Sequence, residues 1–140
     1  MRKTFFIIFI SFFVSGNVFA EEILLKCIYT SGFTVGEDRD ESSYEGKVEF
    51  IKLNTKDKKI IDAPNYYGVK ETKEVDRFLF WDEDEIWWGE ANKNTLIRRT
   101  GRLTRDTGVF EEKTQMIINE TPYWEQNKYL CEISKKKKLF

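Results

Sequence analysis

Apolar and polar residues alternate in short runs along this chain, and no run sustains a 3.6-residue period. The alternation predicts strands at residues 22–30, 46–53 and 59–62. Further strands are predicted at 77–81, 85–90, 95–105, 109–119 and 128–134. Turn-forming residues separate them: 54–58, Asp82-Glu83-Asp84, Asn92-Lys93-Asn94 and Asp106-Thr107-Gly108. Residues 31–44 are polar, hold two glycines, and read as a long loop, and Pro122 opens another. The stretch 66–74 carries no clear pattern.

Many short strands joined by tight turns predict an all-β fold, a small antiparallel meander. The expected architecture is a closed or nearly closed barrel of about eight strands, because closure removes exposed edges. A two-sheet sandwich is the alternative. The expected core is Leu25, Tyr29, Val48, Phe50, Phe78 and Phe80, followed by Ile86, Trp88, Leu103, Phe110, Met116, Ile118 and Tyr129.

The first 20 residues stand apart. Arg2 and Lys3 precede an apolar run from Phe5 to Val14, and Val18-Phe19-Ala20 places small residues at −3 and −1. This is the pattern of an export signal cleaved before Glu21. The apolar run is about ten residues, half of what a membrane span needs. The predicted division is therefore signal peptide 1–20, one β domain 21–134, and a basic flexible tail 135–140. The expected address is the periplasm, with secretion beyond it as the alternative. No stable membrane insertion is expected once the signal is removed.

Export changes the meaning of the two cysteines. Cys27 and Cys131 form one even pair in an oxidising compartment, which predicts one disulfide. Ile23, Leu25, Cys27 and Tyr29 share one face of an extended segment, as do Tyr129, Cys131 and Ile133. A bridge between those faces would set the first and last strands side by side. The two cysteines do not form the C-x-x-C spacing of redox-active pairs.

Composition then excludes chemistry. The chain has no histidine, so it has no Ser-His-Asp or Cys-His triad and no histidine-ligated zinc. Two cysteines are too few for an all-thiolate zinc site. No metal, cofactor or enzymatic activity is expected. The body 21–134 holds 17 basic and 24 acidic residues, a net of −7. That balance disfavours nucleic acid, whose binding depends on neutralised phosphates.

Three features are candidates for binding. Trp81, Trp87 and Trp88 fall in one hairpin, and the adjacent Trp87 and Trp88 must point to opposite faces of their strand. One is expected in the core and the other toward solvent, a partner or a covering segment. Four arginines lie between Arg98 and Arg105. Alternation puts Arg98 and Arg102 on one face, with Arg99, Leu103 and Arg105 on the other. Arg99 and Arg105 are candidates for an anionic ligand inside the barrel, or for structural packing across a strand end. The acidic tip Asp82 to Glu85 lacks the ligand spacing of a calcium loop and reads as a solvated turn. The tail Lys135–Lys138 can attract anionic head groups or remain a solvated end.

The layout resembles small exported proteobacterial β-rich proteins of unassigned function. The matching residues are Cys27, Arg105-Asp106-Thr107-Gly108 followed by Phe110, then Cys131 and the Lys-rich tail ending in Phe140. That resemblance implies an exported β domain and no catalytic residues. Ser31-Gly32-Phe33-Thr34-Val35 is similar to the Ser-Gly-x-x-Tyr motif of periplasmic C-type lysozyme inhibitors, with Val35 in the place of the tyrosine. The expected function is a monomeric binding domain for a small ligand or an envelope protein. The alternatives are a protein-directed inhibitor, such as a lysozyme inhibitor, or a structural or stress protein without a dedicated pocket.

Overall fold

The computed structural model describes residues 22–134. The predicted signal peptide and the basic tail lie outside the described residues. Eight antiparallel strands follow in chain order: β1 (Glu22–Val35), β2 (Val48–Asn54), β3 (Lys59–Asp62) and β4 (Val75–Trp81). β5 (Glu85–Asn92), β6 (Arg98–Thr104), β7 (Val109–Ile118) and β8 (Thr121–Ile133) complete the set. A single 3-10 turn, Glu41–Ser43, interrupts the connection between β1 and β2.

All eight strands belong to one sheet, in the order β3-β2-β1-β8-β7-β6-β5-β4. The sheet curls through 286°, so a seam of about 74° stays open between β3 and β4. A nearly closed barrel is thus the architecture, and the single continuous sheet excludes the sandwich. The predicted bridge joins Cys27 to Cys131, which face each other directly across β1 and β8.

Two predicted loops are strands. β1 runs on through residues 31–35, where Ser31 pairs with Lys128 and Val35 with Trp124. β8 accordingly starts at Thr121, well before residue 128, with Pro122 opposite Ile117. A bulge between Tyr29 and Ser31 reverses the phase of β1. Tyr29 points inward before it, and Gly32 and Thr34 point inward after it. The connection between β1 and β2 shrinks to residues 36–47, a strap across one end of the barrel.

Several expected core residues face outward. Val48 and Phe50 are exposed, because Cys27 pairs with Glu49 and Leu25 with Ile51. That register turns Glu49, Ile51 and Leu53 inward. In β4, Phe80 is exposed and Phe78 lies on the same outer side, while Leu79 and Trp81 pack against the core. Ile118 is also exposed, at the end of β7.

The interior has two halves. Toward the disulfide end, Leu25, Ile51, Leu53, Ile60, Ile86 and Leu103 pack together with Trp88, Phe110 and Tyr129. The Trp88 ring stacks on Phe110 at 5.6 Å, Phe110 meets Tyr129 at 5.5 Å, and Tyr129 meets Tyr29 edge-on at 5.7 Å. Gly101 makes room for this ladder, since a Cβ there would stand 2.4 Å from the Trp88 ring. The segment after β3 turns inward against it. Ala63 is buried, the Pro64 carbonyl accepts from Trp88 Nε1 at 2.8 Å, and Asn65 Nδ2 donates to the Thr100 carbonyl at 3.0 Å.

The half under the strap is polar. Arg39 reaches down from the strap with its side chain 8 % exposed. It donates to Asn127 Oδ1 at 2.5 Å and to the Tyr29 hydroxyl at 2.7 Å, and its Nε lies 3.1 Å from Glu41. The Tyr44 ring covers its guanidinium at 3.7 Å. Gly32 is required here, because a Cβ would stand 2.6 Å from Asn127 Oδ1 and 2.7 Å from the Arg39 guanidinium.

Candidate functional site

A cleft of about 390 Å³ opens at the disulfide end. Its walls come from the inward positions of six strands, among them Ile23 and Leu25 of β1, Leu53 of β2, Trp81 of β4, Ile86 of β5 and Leu103 of β6. Cys131 and Ile133 of β8 finish the wall. These are consecutive inward residues near the strand ends, so the cleft is the uncapped mouth of the apolar core. The β6–β7 turn, Thr104 to Gly108, forms its rim.

That turn is held in three ways. Gly108 takes φ +73°, which other residues rarely adopt. Its N–H donates to the Thr104 carbonyl at 2.9 Å, and its own carbonyl accepts from the Cys131 N–H at 2.8 Å. The Thr107 hydroxyl accepts from the Val109 N–H at 3.3 Å. Arg105 is exposed at this rim, and its Nη1 donates to the Asp82 carbonyl at 2.7 Å. Its backbone N–H also donates to the Asp84 carbonyl at 2.8 Å. The acidic turn is itself folded around Asp82, whose carboxylate accepts from the Asp84 and Glu85 N–H groups at 2.8 and 2.9 Å. Those bonds, with the nearby Arg105 charge, hold the Asp82 carboxyl below its ordinary range.

The five candidate residues named from sequence fall in four places. Arg105 and Trp81 come together at the cleft. Trp88 is fully buried behind it. Trp87 points outward, 43 % exposed, with Phe78 edge-on at 5.1 Å. Arg99 faces the interior under the strap, where Glu90 lies 3.7 Å from it and 3.2 Å from Arg77. Among the described residues, no group of three or more His, Cys, Asp or Glu side chains is placed to hold a metal ion.

Sequence reasoning missed the residues of the strap half. Asn127 is 2 % exposed, and its Nδ2 donates to Glu112 at 3.1 Å and to Glu125 at 2.9 Å. Tyr129 donates to Glu112 at 2.7 Å, and Tyr123 donates to Glu125 at 2.9 Å. Burial pushes the Tyr129 hydroxyl well above the ordinary tyrosine range, and the Glu112 hydrogen bond adds to it. Burial and Glu125 push Tyr123 up to about 12. Burial opposes ionisation of Glu125, yet the hydrogen bonds from Asn127, Tyr123 and Tyr44 hold its carboxyl below the ordinary value. Asn127, Tyr129 and Arg39 are thus bonded to neighbours across the barrel. The arrangement ties the strap end together, and a depression of about 320 Å³ lies beside it, lined by Gly36, Glu37, Pro122 and Tyr123. A signal for it exists in the sequence: Tyr123, Glu125, Asn127 and Tyr129 recur at period two.

The Ser31-Gly32 pair of the inhibitor-like motif lies inside β1, paired with Lys128 and Asn127. No helix among the described residues is long and apolar enough to cross a membrane. Set against family models, curated proteins and solved structures, the chain matches none.

Proposed function

We propose that this chain is an exported, non-enzymatic binding domain that holds one small apolar molecule at the disulfide end of its barrel, in the periplasm, as a monomer. The cleft carries this reading. Its volume of about 390 Å³ falls within the range of about 300–1,000 Å³ that small-molecule sites occupy. Its walls are aliphatic and indole carbon, and most of its polar groups lie on the β6–β7 turn, with Glu132 of β8 and Thr55 of the β2–β3 turn as the others. A ligand with an apolar body and one polar end matches that distribution. Arg105 lies at the polar end with one nitrogen already bound to Asp82, so its side chain is held in place before a ligand arrives.

Dodecanoate and dodecanol titrated into the mature protein test the reading, with tryptophan emission as the readout. Dodecanoate is expected to bind with a Kd of order micromolar and to shift the emission. The shift is expected to vanish in Trp81→Phe. Arg105→Gln is expected to weaken dodecanoate about tenfold and dodecanol little. Unchanged emission with both ligands at about 1 mM would remove the reading.

A further inference from the structure

The outer face of the sheet carries a second depression, separate from the cleft. It is about 230 Å³ and crosses β5 to β8. Its positions follow from the registers. Trp87 stands opposite Arg102, which stands opposite Glu111. One row over, Thr100 stands opposite Lys113, and Lys113 opposite Gln126. In the row beyond, Arg98 stands opposite Gln115. Thr100 is the short side chain in the middle and forms the floor, with Gly89 beside it. Longer side chains stand around it.

Charge here runs against the rest of the molecule. The body nets −7, yet three cations line this one depression against a single carboxylate, Glu111. Arg102 is neutralised from outside it by Glu85, whose Oε2 lies 2.6 Å from both Nε and Nη2. Lys113 places its ammonium 4.2 Å from the Trp124 ring and has no carboxylate partner among the described residues. Arg98 is exposed and has no ion-pair or hydrogen-bond partner among the described residues. Two uncompensated cations therefore flank neutral hydrogen-bonding groups, Thr100, Gln115 and Gln126. An exposed indole, Trp87, stands at the edge.

We infer that this depression binds an acidic saccharide chain. The ring face of Trp87 offers a flat apolar surface to sugar C–H groups. The amides and the hydroxyl suit sugar hydroxyls, which both donate and accept. Arg98 and Lys113 supply the attraction for carboxylates borne along the chain. Glu111 decides between polyanions. It repels the more closely spaced charges of a polyphosphate. It accepts hydrogen bonds from hydroxyls, which a sugar has and a polyphosphate lacks.

Calorimetric titration of the mature protein tests this, with an oligogalacturonate hexamer as the probe. Maltohexaose and inorganic polyphosphate are the comparisons. The hexamer of galacturonate is expected to bind, to weaken as salt rises, and to outcompete both comparisons by about tenfold or more. Trp87→Ala and the double variant R98Q/K113Q are each expected to lower its affinity about tenfold. Both are surface changes, and an unaltered thermal midpoint checks that the fold persists. No heat up to about 1 mM hexamer would overturn the inference. So would maltohexaose bound as tightly, or polyphosphate bound as tightly with no effect of Trp87→Ala. The cleft ligand dodecanoate, added first, is expected to leave this binding unchanged, so each site can fail alone.

Discussion

Arg39 carries more of this structure than any residue the sequence singles out. It sits in a strap with no periodic pattern, so nothing in its neighbours marks it as inward. Its importance appears only when Gly32, Asn127 and Tyr29 are brought beneath it. Arg39→Met keeps the length of the side chain and removes the donors. Asn127 Oδ1 then loses its donor inside the barrel. The expected cost is about 2–3 kcal/mol, a fall in Tm of roughly 10 °C. Differential scanning calorimetry checks it, and an unchanged Tm would mean the strap is not anchored here. Gly101→Ala probes the other half. The new methyl would stand 2.4 Å from the Trp88 ring, which cannot shift without leaving Phe110 and the Pro64 carbonyl. An overpacked core of this kind costs about 2–4 kcal/mol. Loss of near-ultraviolet circular dichroism, with a lower urea midpoint, is the expected result. Alternation puts Arg105 on the inward face with Leu103, but β6 ends at Thr104, and Arg105 stands exposed in the turn that follows.

At the scale of elements, turns were read more surely than strand phases. Asn54–Lys58, Asp82–Asp84 and Asp106–Gly108 hold residues whose chemistry favours a turn wherever they stand. Phase failed where both faces of a strand are apolar. In β2, Val48 and Phe50 compete with Ile51 and Leu53, and only pairing with β1 decides between them. In β4, Phe78 and Phe80 compete with Leu79 and Trp81 in the same way. Strand ends failed where the interior is polar. Gly32 and Thr34 of β1, and Glu125 and Asn127 of β8, face a hydrogen-bonded interior, so no hydrophobic alternation marks them. The β1–β8 pair is also where the disulfide lies, between cysteines 104 residues apart. Reduction is expected to cost about 4–5 kcal/mol by releasing that loop in the unfolded chain. Urea denaturation with and without a phosphine reductant measures it. Equal midpoints would show that the pair adds no constraint.

For the whole molecule, the polar half sets the pH range of stability. The Glu125 carboxyl is held below its ordinary value of 4.5 in the fold. Its contribution is therefore complete above that value and is lost as pH falls through the lower, folded one. Tyr29 and Tyr123 move the opposite way, to about 12 from 10.0, chiefly by burial and then by Glu41 and Glu125 respectively. The folded state holds those protons more tightly. Stability is thus intact below pH 10 and declines as pH climbs from there toward 12. Urea midpoints measured from pH 2 to 12, beside tyrosinate absorbance, are expected to trace both limbs. A flat alkaline limb would show that these hydroxyls do not hold the strap end together.

The pairing of β1 with β8 has one more consequence. The Ser134 N–H donates to the Leu24 carbonyl at 2.8 Å, so both ends of the described chain meet at one place. The strands run in space as β3-β2-β1-β8-β7-β6-β5-β4. Read from β4 forward, through β8 and on into β1, that order is a simple sequential meander. A circularly permuted chain, with Ser134 linked to Glu22 and opened among the exposed residues 71–73, would make every strand pair a local hairpin. Its contact order would fall, and local pairings form faster than distant ones. In the natural connectivity the first strand waits for the last, and the barrel can assemble around the β1–β8 pair only after nearly the whole chain is available.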